Sequence, residues 1–240
     1  MRQVLRNILE FIYVFLPPFP LRSFFLFIFS FLMTFLLTPI VRFAALKLKI
    51  MDMPSERKIH REPIPLLGGI AIYMSYVITV ILNFTFSIEL KGVIIGGTII
   101  LLLGMIDDIW GLRAIWRLLG QVGAAAILIL FHIKLDFLPN VWWGSVGEMI
   151  LTISWVIGIT NAVNFFDGLD GLAAGLTTVC SLSFFVVAEI TDQAYLVFLT
   201  IALAGSTLGF LRFNFKPASI FLGDSGSTFL GFTLAEIAVM

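Results

Sequence analysis

The chain is poor in the residues that build most soluble catalytic sites. Its 240 residues include one cysteine and two histidines, and Asp, Glu, Lys and Arg together make up 12% of it, about half the share usual in a soluble domain. The lone Cys180 excludes an internal disulfide and any multi-cysteine metal cluster, and zinc is left without its customary His and Cys ligands. Fifteen basic residues balance fifteen acidic ones, so no net field attracts nucleic acid, and no nucleic-acid partner is expected. Internal repeats and low-complexity tracts are missing, and the polar connections are too brief to hold an inserted soluble domain. What fills the sequence is hydrocarbon: 60% of residues are hydrophobic, 25 are phenylalanine, and mean hydropathy is +1.06.

That composition predicts an all-α, polytopic transmembrane helix bundle. About eight windows are apolar enough to lie across roughly 30 Å of hydrocarbon, near residues 22–46, 66–86, 92–106, 114–131, 147–161, 172–190, 194–211 and 227–240. The third and fifth windows are short. Before them, Arg2 and Arg6 precede an apolar stretch that ends at Pro17-Pro18 and lacks the small-residue cleavage site of a signal peptide. Residues 1–21 therefore read as an uncleaved helix lying in the interface, and 22–240 as one transmembrane domain.

Basic residues in short loops stay cytoplasmic. With the N-terminus outside, ten of the fifteen fall inside: Arg42, Lys47, Lys49, Arg57, Lys58, Arg61, Arg113, Arg117, Arg212 and Lys216. Arg2, Arg6, Arg22, Lys91 and Lys134 remain outside, together with His132, which reads as interfacial and not catalytic. This orientation puts four polar connections in the cytoplasm: 47–65, 107–113, 162–171 and 212–226.

Five aspartates lie in the last three of these connections: Asp107, Asp108, Asp167, Asp170 and Asp224. An intramembrane carboxylate costs roughly 3 kcal/mol on insertion scales, so acids beside apolar segments mark wet, functional pockets. Drawn together they would repel by about 4 kcal/mol per close pair at 4 Å and an effective dielectric of 20. A hard cation offsets this, and Mg²⁺ suits oxygen ligands shared with a substrate's phosphates; Mn²⁺ is the alternative. The first connection adds Arg57, Lys58, His60 and Arg61, suited to a polyphosphate or an anionic headgroup, although single basic residues there also serve to set topology. Gly168 and Gly171 interleave with Asp167 and Asp170, and Gly223 and Gly226 bracket Asp224, so backbone can approach a ligand closely. Helices starting near Leu172 and Ser227 would aim their N-termini at an anion, with Asp167 and Asp170 as candidate N-caps for the first of them. Phe221, Phe165 and Phe166 offer flat faces for a nucleobase. These features together suggest phosphoryl transfer.

Four signatures occur in order: Asp52-x-Pro54-x-x-Arg57-Lys58-x-His60-x-x-Pro63-x-Pro65-x-x-Gly68-Gly69, then Asp107-Asp108, then Asn164-x-x-Asp167-Gly-x-Asp170-Gly-Leu, then Gly223-Asp224-x-Gly-Ser227. In these the chain resembles the polyprenyl-phosphate N-acetylhexosamine-1-phosphate transferase family of membrane enzymes, over roughly residues 22–240. The form of the first signature is closer to the branch using UDP-GlcNAc than to the branch using UDP-MurNAc-pentapeptide. The resemblance implies transfer of a sugar 1-phosphate from a UDP-N-acetylhexosamine to a polyprenyl phosphate lipid such as undecaprenyl phosphate, with release of UMP. It further implies Asn164 and Asp224 as Mg²⁺ ligands, Asp107 or Asp108 acting on the lipid phosphate, and Asp167 as a further essential acid. Asp170 and Phe221 would form a uracil pocket. A double displacement through an aspartyl-phosphate stays open, as does a homodimer. Members of that family usually continue into another cytoplasmic loop carrying histidine, whereas this sequence stops at Met240 within its eighth window. The expectation is therefore a piece of a longer protein. Two readings from other classes are an ion-coupled transporter with midplane acids and a non-catalytic binder of lipid phosphate.

Overall fold

The structure, a computed structural model, describes residues 21–54, 61–83, 87–139 and 141–240. Arg57, Lys58 and His60, and the interface-lying segment expected at the N-terminus, fall outside the described residues apart from Leu21. Eight helices appear among the described residues: α1 (Leu21–Leu48), α2 (Gly68–Asn83), α3 (Ile88–Trp110), α4 (Ala114–Leu130), α5 (Trp142–Phe166), α6 (Leu172–Ile190), α7 (Ala194–Asn214) and α8 (Gly223–Val239). Helices α1, α3, α5, α6 and α7 are long and apolar enough to cross a membrane, and α2 and α4 are shorter apolar helices. Two short strands, β1 (Met51–Asp52) and β2 (Ile64–Pro65), pair antiparallel with Met51 opposite Pro65. They clip together the base of the basic connection.

Helix α1 is inside-out relative to a surface helix of a soluble protein. On α1, Phe24, Phe25, Leu36 and Phe43 are exposed, while Ser30, Thr34 and Thr38 are fully buried. Lipid is as apolar as leucine, so helices in a bilayer associate through close packing of small residues. The Ser30-Thr34-Thr38 stripe meets Gly205 and Gly209 of α7. A Cβ on Gly205 would lie 2.5 Å from the Phe27 carbonyl oxygen, and one on Gly209 would run into that of Phe31. Hydroxyls that would otherwise be orphaned turn back on their own helices, as Thr38 does to the Thr34 carbonyl at 2.7 Å.

Helix α8 is the central strut. Fourteen of its seventeen residues are buried, and it packs against α2, α3, α5 and α6. Tyr76 of α2 meets the Phe229 ring of α8 edge-on, with centroids 5.9 Å apart.

Several helix ends differ from the sequence expectation. Helix α3 runs to Trp110 and α5 to Phe166, so Asp107, Asp108 and Asn164 lie in the last turns of long helices, not in connections. The "short" windows were short only in hydropathy. A polar side chain lowers the apolar score without breaking the helix when it finds a partner, and each of these three does. Helix α8 begins at Gly223 and not near Ser227, which places Asp224 in its first turn. At the other end of α3, Ser87 caps the helix by accepting from the Leu90 N–H at 3.1 Å, which carries the helix back beyond the expected window.

Candidate functional site

Because successive helices alternate in direction, the C-terminal ends of α3, α5 and α7 share one end of the bundle with the N-terminal ends of α4, α6 and α8. The hydrogen bonds there span the sequence. Asp108 receives the Asp224 N–H on Oδ1 at 2.7 Å and the Ser225 N–H on Oδ2 at 3.1 Å. Asn164 donates through Nδ2 to Asp224 Oδ1 at 2.6 Å and to Ser227 Oγ at 2.8 Å. Asp108 at the end of α3, Asn164 near the end of α5 and Asp224 thus meet around the first turn of α8.

The two members of the Asp107-Asp108 pair have different surroundings. Leu222, at the N-cap position of α8, supplies no side-chain cap, and Asp108 takes that role from another helix, satisfying two of the N–H groups a helix start leaves open. Gly223 makes room for it: its φ is +73°, and a Cβ there would fall 2.5 Å from Asp108 Oδ2. Asp107 is buried. Its Oδ1 accepts the Leu112 N–H at 2.6 Å, and its Oδ2 lies 3.1 Å from Arg117 Nη1. That ion pair is close but not aligned as a hydrogen bond, since Oδ2 has no hydrogen-bonding partner. Asp107 and Arg117 line a cavity of about 20 Å³ together with Gln121, Asp224 and Thr228, which is room for about one water. Asp108 does not line it.

Asp167 follows the end of α5 and is half-buried. Burial first, then the charges of Asp224 and Asp108, push its carboxyl well above the usual range. Neither Asp167 nor Asp170 caps α6, contrary to expectation. Gly171, with φ +73°, stands at that N-cap without a side-chain bond, and its N–H goes to Asn214 Oδ1 at 3.1 Å.

Asp170 instead accepts the Ala218 N–H on Oδ2 at 3.1 Å, which ties it to the connection carrying Phe221. That connection is stitched to the base of the basic loop. The Phe221 N–H donates to the Pro65 carbonyl at 2.8 Å, and the Phe221 carbonyl accepts from Gly68 at 3.0 Å. Asp170 and Phe221 are thus held on one structural unit, and the ends of the loop bearing Arg57, Lys58 and His60 start beside it. Phe165 is 85% exposed and Phe166 44%, so both lie on the outer surface and not in an enclosed cleft.

Sequence reasoning missed Gln121 and Asn214 and gave Arg117 and Ser227 no part in the site. Gln121 had a signal: it is a polar residue in the apolar run of α4, and it pairs with Asn161, which donates to Gln121 Oε1 at 2.7 Å. Asn214 bridges Gly171 to the Ile220 carbonyl and is buried, a role that no spacing foretells.

The donor set suits a hard cation better than a soft one. Asn164, Asp224 and Ser227 carry amide, carboxylate and hydroxyl oxygens, with Asn164 here turning its Nδ2 toward the other two, so that its oxygen would face an ion only with the amide turned over; no group of three or more His, Cys, Asp or Glu that could hold a metal ion occurs among the described residues. Two or three protein oxygens fit Mg²⁺, which keeps waters and takes further ligands from phosphates.

Comparison with known proteins gives a consistent picture. The model of glycosyl transferase family 4 matches residues 90–240. The chain is 37% identical over 220 residues to a protein of Bacillus subtilis (strain 168) named probable undecaprenyl-phosphate N-acetylglucosaminyl 1-phosphate transferase, covering 89% of this chain and 62% of that protein. It is 34% identical over 227 residues to the decaprenyl-phosphate N-acetylglucosaminephosphotransferase of Mycolicibacterium smegmatis, covering 85% of this chain and 56% of the relative. A phospho-N-acetylmuramoyl-pentapeptide-transferase of Lactiplantibacillus plantarum is 40% identical over a shorter stretch, 58% of this chain and 48% of the relative. The chain spans 56% to 62% of the length of the two N-acetylglucosaminyl relatives.

Proposed function

The chain belongs to glycosyl transferase family 4 and is a multi-pass membrane protein, and from that we propose that it transfers GlcNAc 1-phosphate from UDP-GlcNAc to a polyprenyl phosphate, releasing UMP. The observation that carries the proposal is the meeting of Asp108, Asn164 and Asp224 from three different helices at one helix start. The choice of sugar follows the relatives: similarity to the two N-acetylglucosaminyl transferases extends over 85–89% of the chain, and that to the muramoyl-pentapeptide enzyme over 58%.

In the reaction, an oxygen of the lipid phosphate attacks the phosphorus that bears the sugar. The bond from that phosphorus to the bridging oxygen breaks, and UMP leaves with the electron pair. Asn164 and Asp224 are the residues that would hold Mg²⁺, which when bound neutralises diphosphate charge and stabilises the leaving UMP. Asp107 faces the cavity and acts on the lipid phosphate, taking its proton or fixing its position, while Arg117 meets phosphate oxygens with a planar fork of donors. Asp108 holds the start of α8 so that Asp224 keeps its place; of the pair, it is the positioning residue. Asp167 is the further acid. Asp170 and Phe221 receive the uracil, and Arg57, Lys58 and His60 of the basic loop reach the diphosphate. The site faces the cytoplasm, in keeping with the ten basic residues assigned to that side.

The test is exchange of radiolabelled UMP into UDP-GlcNAc by membranes carrying the protein, with polyprenyl phosphate and Mg²⁺. Exchange that needs both additions supports the proposal. Proton or sodium flux without exchange would replace it with a transporter, and lipid-phosphate binding without exchange with a non-catalytic binder.

A further inference from the structure

The same helix that starts at Asp224 carries a second acid twelve residues on, about 18 Å along the axis and far from the phosphoryl-transfer site. Glu236 is 1% exposed, and neither of its carboxylate oxygens has a hydrogen-bond partner. The groups around it are polar but uncharged. Tyr76 of α2 is 1% exposed with a hydroxyl that likewise lacks a partner, and it lies within electrostatic reach of Glu236. Thr233, one turn earlier on α8, is fully buried with its hydroxyl unpartnered. Tyr195 of α7 is also within electrostatic reach of Glu236, and Glu89 of α3 reaches Tyr195. From α5, the Trp155 indole N–H bonds the Ala235 carbonyl at 3.2 Å. No basic side chain among the described residues pairs with Glu236.

A bare carboxylate in such a place is costly by several kcal/mol after relaxation, and a group so placed binds a positive charge or neutralises itself. The neighbours are hydroxyls, which suit either outcome: they accept from a carboxylic acid O–H, or they share a small cation with the carboxylate. We propose that Glu236, with the hydroxyls of Tyr76 and Thr233, is an intramembrane binding site for one small cation, a proton or an alkali-metal ion. Filled, it joins α8 to α2 at the end of the strut opposite Asp224.

Infrared difference spectroscopy and thermal unfolding of the protein in nanodiscs test this, with Glu236→Gln and Tyr76→Phe as variants. If the ligand is a proton, the wild type at neutral pH shows a carboxylic-acid C=O band that Glu236→Gln removes and Tyr76→Phe shifts. If it is an alkali ion, Na⁺ or K⁺ raises the unfolding temperature saturably against N-methylglucamine at equal ionic strength. Glu236→Gln then abolishes that response, and Tyr76→Phe weakens the affinity about tenfold, as expected for one hydrogen bond at a charged site. Tyr76→Phe leaves the acid in place, so the test survives if Glu236→Gln fails to fold. An ionised Glu236 with neither an acid band nor an alkali response, as pairing with a basic side chain would give, overturns the proposal.

Discussion

Asp107 and Asp108 are adjacent in sequence, yet their replacement by alanine should act on different properties of the protein. Asp108 accepts two backbone N–H groups of α8 at 2.7 and 3.1 Å, and hydrogen bonds to a charged acceptor contribute about 1.5–3 kcal/mol each. Water reaches this half-buried end and replaces part of the loss, so Asp108→Ala is expected to cost about 2–4 kcal/mol, including the favourable charge at a helix N-terminus. Asp108→Asn keeps one acceptor but turns an NH₂ toward the other N–H, and should cost about half as much. Asp107 holds one backbone N–H, which contributes about 1–2 kcal/mol on the same reckoning, and an arginine whose side chain is 41% exposed; solvent screening reduces that pair to about 1 kcal/mol or less. At ~2–4 °C per kcal/mol for a chain of this size, Asp108→Ala should lower the unfolding temperature by roughly 4–16 °C and Asp107→Ala by roughly 2–12 °C, the smaller loss of the two. Tryptophan fluorescence during heating of the protein in nanodiscs reads this directly, with UMP exchange measured on the same samples. Asp107→Asn should abolish exchange while leaving unfolding nearly unchanged. A loss of stability for Asp107→Ala equal to or above that for Asp108→Ala would refute the assignment of the cap.

Gly209→Leu should drive α7 away from the Phe31 carbonyl of α1 and cost about 1–3 kcal/mol by overpacking, seen as earlier unfolding in an SDS titration. Arg117→Met leaves Asp107 without its basic neighbour and should weaken lipid-phosphate use at least tenfold in exchange assays, with nucleotide binding by calorimetry changed less; equal losses in both would remove Arg117 from the acceptor side. In a Cys180→Ser background, cysteines at Arg113 and Lys216 should react with an impermeant maleimide only from the cytoplasm, and one at Asp136 only from outside. Labelling of 113 and 216 from opposite compartments would break the shared site.

Much of the bundle could be read from hydropathy, and the limits of that reading are physical. The window at 172–190 coincides with α6 because glycine precedes it and an exposed Thr-Asp pair follows. The ends of α3 and α5 were misplaced because Asp107, Asp108 and Asn164 lower local hydropathy, while the backbone continues as helix wherever such side chains are satisfied. Of the four signatures, Asp107-Asp108, Asn164 and Gly223-Asp224 come together at one helix start in the fold, whereas the basic residues of the first lie outside the described residues. The division of labour in the aspartate pair was not legible: Asp108 is matched to Asp224 and Ser225 by partners more than 110 residues away, and nothing local distinguishes it from its neighbour. Asn214 was hidden for the same reason, because it acts through contacts across the fold.

The claim beneath the whole account is that Asn164 and Asp224 hold a divalent ion against a nucleotide diphosphate. Mn²⁺ substituted for Mg²⁺ allows this to be measured by electron–nuclear double resonance with UDP-GlcNAc bound. The account predicts phosphorus coupling to a bound Mn²⁺ in the wild type and its loss in Asp224→Ala, with the protein still folded. Phosphorus coupling that persists unchanged in Asp224→Ala, or Mn²⁺ that binds without any phosphorus coupling, would contradict it.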